Sequence, residues 1–123
     1  MKYNLIPASE IEKLRMNDQI IRDTALQVIK DFAGFGMDVS FPPNIHLAYE
    51  SLFNQLKIII AGLLEKEPDK LSALLYQIDL DENRLKKEPE LFTEYEFISE
   101  LILEREFLKV LTRYYFKNNP GKF

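Results

Sequence analysis

Residues 44–78, NIHLAYESLFNQLKIIIAGLLEKEPDKLSALLYQI, decide the fold. Apolar side chains recur in this stretch at steps of three and four residues, which places them on one face of an α-helix. Those of the first half are Ile45, Tyr49, Leu52, Leu56, Ile59, Ile60 and Leu63, and those of the second half are Leu71, Leu74, Leu75 and Ile78. Pro68 separates the halves at a position that suits the first turn of a new helix. So short a link predicts two helices packed as an antiparallel hairpin.

A second helical pattern lies closer to the N-terminus. Its apolar stripe consists of Ile11, Leu14, Ile21, Ala25, Val28 and Phe32. Asp18 breaks this stripe, and two interpretations stay open. Either Asn17 or Asp18 caps a new helix after a short first one, or one continuous helix carries Asp18 on its inner side. Capping is favoured because both side chains compete readily for backbone N–H groups.

The connection between these two patterns is residues 34–43, GFGMDVSFPP. Its two glycines release the backbone and its two prolines lack an N–H donor, so the helix cannot continue through it. The connection is longer than most links between bundle helices. Its apolar side chains predict either a hydrophobic lid over one end of the bundle or a docking surface. They are Phe35, Met37, Val39 and Phe41.

The final helix is predicted to run from about Glu90 or Thr93 to Lys117, where Asn118 and the residues after it stop the pattern. No segment alternates apolar and polar residues for long enough to indicate a strand. Residues 1–123 are therefore predicted to form a single helical domain of the all-α class. We expect a bundle of about four main helices with one longer apolar crossover loop.

The composition narrows the class of function. Sixteen Lys and Arg residues against twenty Asp and Glu give a net charge of −4, and the basic residues are dispersed, so nucleic acid is not an expected partner. The absence of Cys excludes thiol catalysis, Cys-based zinc sites and disulfides. The longest apolar run, residues 58–64, is far shorter than the ~20 residues that cross a bilayer, and the N-terminal stretch lacks the apolar region of a signal peptide. We therefore expect a cytoplasmic protein without a membrane partner.

Residues 79–90 match an EF-hand calcium loop in part. The matching positions, the first, third, fifth and twelfth, are Asp79, Asp81, Asn83 and Glu90. Arg84 stands where the loop needs its turn-forming glycine, and Lys87 replaces the ninth ligand with a charge that repels a cation. A capped, solvated turn is therefore favoured over a calcium site.

Four polar residues are candidates for chemistry. His46 and Glu50 share one side of the helix that starts near Asn44, and Glu100 and Glu104 lie one turn apart in the apolar arc of the last helix. Carboxylates in apolar surroundings have raised pKa values and can act as acid, base or metal ligand. A metal-binding or hydrolytic enzyme built on these residues is the alternative function, and surface or ion-pair roles stay open for all four. Because no nucleophile elbow or paired metal-ligand motif accompanies them, an enzyme is not favoured, and no cofactor or metal is expected.

Apolar residues also occupy a second side of two helices, which a bundle helix does not need. Together with the crossover loop they define a predicted interaction surface. It consists of Phe35, Met37, Phe41, Leu47, Ile58, Leu103 and Val110. We interpret this excess as a sign of protein binding. The expected function is a non-enzymatic protein–protein interaction or self-associating module, with a homodimer as the simplest assembly.

Residues 74–82, LLYQIDLDE, resemble a stretch of uncharacterised small all-helical bacterial proteins. Helix packing alone accounts for Leu74, Leu75 and Ile78 within this stretch. The resemblance implies a bacterial helical protein and transfers no site residue.

Overall fold

The computed structural model describes residues 6–80 and 93–118, which form five α-helices. They are α1 (Ala8–Arg15), α2 (Asp18–Ala33), α3 (Ala48–Lys66), α4 (Pro68–Ile78) and α5 (Glu94–Asn118). One turn of 3-10 helix, Ile45–Leu47, precedes α3. The described residues contain no β-strand, and the all-α prediction is confirmed.

The boundary between α1 and α2 is set by Asn17. Its side-chain oxygen accepts a hydrogen bond from the backbone N–H of Ile20 at 3.1 Å, which satisfies one of the free donors at the start of α2. Asp18 is the exposed first residue of α2, so it is neither the cap nor a buried polar residue. The break explains why the described residues hold five helices where the sequence predicted about four main ones.

Replacement of Asn17 by alanine is expected to lower the free energy of unfolding by about 1 kcal/mol, because the Ile20 N–H then loses its partner. Chemical denaturation of both proteins measures this loss. Asn17→Ser, which keeps a capping oxygen, is the control and should retain most of the stability. Equal losses in the two variants would contradict a capping role for Asn17.

The last helix, α5, lies at the centre of the described fold. It packs against α2, α3 and α4 and supplies residues to two hydrophobic clusters. The first cluster joins α5 to α2, α3 and α4, and its fully buried members include Phe32, Leu52, Leu74 and Ile102. The second cluster joins the C-terminal half of α5 to the N-terminal region, with Ile6, Leu14, Ile20, Phe107 and Leu111 among its members. Consequently α5 is covered on several sides by its own chain.

The Glu96 side chain reaches back to Thr93 at the start of α5, as in one half of a capping box. The Thr93 hydroxyl donates to Glu96 Oε1 at 2.7 Å, and the Thr93 backbone N–H donates to the same oxygen at 3.3 Å. These hydrogen bonds hold the pKa of Glu96 below its ordinary value. Of the two predicted starts of this helix, Thr93 directly precedes its first described residue, Glu94, and Glu90 lies outside the described residues.

The segment between α2 and α3 packs partly onto the bundle. Val39 is buried in the first cluster, and Phe35 and Met37 pack half-buried against it. Gly36 turns the chain at a φ of 75°, which favours a residue without Cβ. Phe41 remains 44% exposed.

Among the described residues, one helical stretch, Ile45–Lys66, is long and apolar enough to cross a membrane by length and composition. The core helix of a soluble protein meets the same criteria of length and composition, so one such helix does not identify a membrane protein. Leu52, Leu56 and Ile60 of this stretch are fully buried inside the fold.

Candidate functional site

The outer face of α3 carries an apolar surface at the end of the crossover segment, residues 34–44. Leu47 and Ile58 are 54% and 77% exposed, and they lie at the two ends of a shallow cavity of about 440 Å³. Between them the cavity is lined by Glu50, Ser51, Asn54 and Gln55. We call this set of six residues the α3 surface. From Leu47, the last residue of the 3-10 turn, its members recur at three- and four-residue steps on the side of α3 that faces away from the core residues Leu52, Leu56 and Ile60.

The crossover segment is tied to the edge of this surface. Gln55 accepts a hydrogen bond from the backbone N–H of Ser40 at 2.8 Å and donates one to the Ser40 carbonyl at 3.0 Å. This paired contact holds the chain against α3 immediately before the exposed Phe41. Three of the predicted interaction residues, Phe41, Leu47 and Ile58, are exposed. The contact between Ser40 and Gln55 holds the chain next to Phe41 against the same helix that carries Ile58.

Two other predicted interaction residues are not available to a partner. Leu103 is 7% exposed within the first cluster, and Val110 is 3% exposed within the second. The expectation of an open second side on α5 does not hold at these positions, because the helices around α5 cover them. Phe35 and Met37 are half-buried against the first cluster.

The predicted carboxylates meet at a different cavity. Glu50, Glu100 and Glu104 line a space of about 200 Å³ between α3 and α5, together with Arg15. Arg15 Nη2 lies 3.5 Å from Glu104 Oε2. His46 is exposed, does not line this cavity and uses its backbone N–H to bond Asn44 Oδ1 at 3.0 Å.

Arg15 supplies the positive charge in this second cavity. Within the described residues, no group of three or more His, Asp or Glu side chains is placed to hold a metal ion. The guanidinium of Arg15 stands 4.2 Å above the ring centroid of Phe107, so the cation that faces Glu104 belongs to the protein itself. Burial raises the pKa of the neighbouring Tyr49 hydroxyl, more than its hydrogen bond with Thr24 lowers it. Tyr49 therefore stays neutral at ordinary pH and is not a base there.

An acidic cluster around the fully buried Glu106 joins α2 to α5, and sequence reasoning missed it. Glu106 is completely buried, and Lys109 Nζ lies 2.9 Å from Glu106 Oε1 and 3.5 Å from Asp31 Oδ2. Apart from this contact with Lys109, neither Glu106 oxygen accepts a hydrogen bond from a described residue. Gln27 Nε2 donates to both Asp31 oxygens at 3.2 Å. We call Asp31, Glu106 and Lys109 the acidic cluster.

The two carboxyl groups of the acidic cluster have opposite pKa shifts. Burial and the hydrogen bond with Asp31 raise the pKa of Glu106 to about 8, despite the opposing effect of Lys109. Burial also acts to raise the pKa of Asp31, but the hydrogen bonds with Glu106 and Gln27 and the charge of Lys109 outweigh it and lower that pKa. Of these two carboxyl groups, Glu106 is therefore the one that holds a proton more strongly.

The predicted calcium loop is described only at its first position. The Asp79 carboxylate lies 3.2 Å from Arg105 Nη2, and Arg105 Nε donates to the Asp79 carbonyl at 3.2 Å. Asp81, Asn83 and Glu90 lie outside the described residues. Asp79 thus serves as an ion-pair partner of α5.

Comparisons with family models, curated proteins and solved structures gave no significant match to this chain. The resemblance of residues 74–82 stays a prediction. Any function must therefore be inferred from the chain's own geometry.

Proposed function

We propose that this chain is a non-enzymatic interaction module that forms a homodimer through the α3 surface. The observation that carries the proposal is the exposure of Ile58 on α3 and of Leu47 directly before it, on the side of the helix opposite the one that packs into the core. Full burial of a large aliphatic side chain in an interface contributes about 1.5–3 kcal/mol to the free energy of association. Two such side chains at the ends of one cavity favour a partner surface over solvent.

The pattern of the α3 surface suits a second copy of the same chain. In a two-fold interface both copies use the same residues. Each side chain must therefore fit the side chain that the two-fold axis places opposite it. Antiparallel pairing of two α3 helices about the point between Leu52 and Phe53 brings Leu47 of one copy opposite Ile58 of the other. It also brings Ser51 opposite Asn54, a hydroxyl opposite an amide, which can hydrogen-bond to each other.

The charge of the α3 surface supports the same arrangement. Each chain carries a net charge of −4, so two copies repel each other at most orientations. Glu50 is the only charged residue among the six that line the surface. Antiparallel pairing places it opposite Gln55, a neutral amide, instead of another carboxylate.

Ile58→Glu is expected to weaken the homodimer at least about 100-fold, because each dimer loses two buried aliphatic contacts and gains two charges at its interface. Sedimentation equilibrium and native mass spectrometry of the untagged chain measure the monomer–dimer equilibrium. Tyr76→Glu is the matched control, since Tyr76 is 88% exposed on α4 and does not line the α3 surface.

Three results would each refute the homodimer. They are a monomeric wild-type chain at about 100 μM, an Ile58→Glu variant with unchanged association, and an equal loss in Tyr76→Glu. The same native mass spectrum reports adducts. A stoichiometric metal that is lost in Glu100→Gln would instead support the alternative, a metal-dependent hydrolase built on Glu50, Glu100 and Glu104.

A further inference from the structure

A cavity of about 610 Å³ runs between α2 and α5, on residues that the α3 surface does not use. We call it the α2–α5 groove. Its volume lies within the range of about 300–1,000 Å³ that is typical of small-molecule sites. Leu26 and Tyr114 give its walls apolar and aromatic character.

The α2–α5 groove concentrates positive charge in an acidic protein. Lys30 from one wall and Arg113 and Lys117 from the other line it, and none of these cations forms an ion pair with a carboxylate of the described residues. Asp23 is the one acidic side chain in the lining, and its Oδ1 accepts a hydrogen bond from Gln19 Nε2 at 2.9 Å. The groove thus has two more positive than negative side chains, whereas the whole chain has a net charge of −4.

A hydrogen bond with Gln27 of α2 holds the guanidinium of Arg113 in place. Arg113 Nη2 donates to Gln27 Oε1 at 2.9 Å, and the amide nitrogen of Gln27 donates to Asp31. Because the Gln27 nitrogen faces a carboxylate, the amide cannot turn over without facing its oxygen toward that carboxylate. The acidic cluster therefore fixes Gln27, and Gln27 fixes Arg113.

This arrangement leaves donors for a ligand. A guanidinium has five N–H donors in a planar fork that matches two oxygens of a carboxylate or a phosphate. The hydrogen bond with Gln27 uses one of them. The rest have no partner among the described residues, and they belong to a side chain that lines the cavity.

We propose that the α2–α5 groove binds a small molecule that carries an oxyanion, with Arg113 as its anchor. Lys30 and Lys117 add attraction from both sides of the groove. Leu26 and Tyr114 accept an apolar or ring-shaped part of the same molecule. The shared chemistry is a planar or tetrahedral group of negatively charged oxygens, which is either a phosphate or a carboxylate.

Titration of the full chain at low ionic strength with inorganic pyrophosphate in one series and citrate in another tests the proposal. Isothermal calorimetry and amide chemical shifts report the binding. We expect saturable binding with one site per chain for at least one probe, and the tighter probe identifies the oxyanion. Arg113→Gln should weaken binding at least about tenfold, and Arg113→Lys should fall between it and the wild type because it keeps the charge and loses the fork.

Arg22→Gln is the matched control, because Arg22 is exposed on α2 and does not line the groove. It removes the same charge and should leave binding unchanged. Far-ultraviolet circular dichroism confirms that each variant is folded before titration. The proposal is overturned by wild-type chain that saturates with neither probe, by Arg113→Gln that binds as tightly as the wild type, or by Arg22→Gln that loses as much affinity as Arg113→Gln.

Discussion

Glu106→Gln is expected to raise the free energy of unfolding at pH 8 and to flatten its dependence on pH between about pH 5 and 8. In the wild type, burial and Asp31 raise the pKa of Glu106 from an ordinary 4.5 to about 8. The folded state therefore holds a proton that the unfolded chain releases near pH 4.5. The contribution of Glu106 to stability is complete below that pH and is lost as the pH rises through about 8.

The expected slope is large. In the window between the two pKa values of Glu106, each pH unit changes the free energy of unfolding by up to about 1.4 kcal/mol. Glutamine cannot ionise, and its amide can still donate to Asp31, so the variant avoids the penalty. Asp31 acts in the opposite direction, because its pKa is lowered in the folded state and its contribution is lost on the acid side. The wild-type chain should thus be most stable at mildly acidic pH.

Urea denaturation at pH 5, 6, 7 and 8 measures both curves. Glu100→Gln serves as the control, since it removes an exposed carboxylate from the same helix and should keep the wild-type slope. Parallel curves for the wild type and Glu106→Gln across this range would show that Glu106 does not hold its proton in the folded state.

Phe107→Ala is expected to lower the free energy of unfolding by about 3–5 kcal/mol. Phe107 is completely buried, and its ring meets that of Tyr49 edge-on with centroids 6.2 Å apart. A second contact of this ring is with the guanidinium of Arg15, 4.2 Å from the ring centroid. Truncation leaves a cavity in the second cluster and removes the surface on which the end of α1 rests.

Chemical denaturation at one pH tests this loss. Phe107→Leu, which keeps most of the apolar volume, should cost less than half as much and remains measurable if the alanine variant does not fold. A loss below about 1 kcal/mol in Phe107→Ala would mean that the second cluster is not an essential part of the core.

Much of the fold could be predicted from the sequence because its signals are local. The three- and four-residue spacing predicts the helices, Asn17 is one of two predicted caps, and Pro68 predicts the start of a helix. The apolar residues of α5 spread over more than one side, and their spacing does not indicate which other helices cover each side. Their spacing predicts a second, open face, whereas Leu103 and Val110 are covered by helices of the same chain.

The acidic cluster was harder to predict for a related reason. Glu106 lies four residues after Ile102 and four before Val110, so its position on the buried side of α5 is present in the spacing. Its partner Asp31 is on α2, and no periodicity within one helix indicates a contact between two helices. The predicted carboxylates Glu100 and Glu104 share a cavity, but Glu100 is exposed and Glu104 faces Arg15.

The central position of α5 also determines when this protein can fold during its synthesis. Helices α2, α3 and α4 leave the ribosome before α5, and their inner faces have no complete partner until α5 follows. At about 5–20 residues per second, translation needs seconds to pass from the end of α3 to the end of α5. Throughout that interval the nascent chain exposes the apolar residues that α5 later covers, and such exposed apolar segments are prone to aggregation. Both hydrophobic clusters close only after Tyr115 has emerged, so this fold is completed after all five helices have been synthesised and not helix by helix.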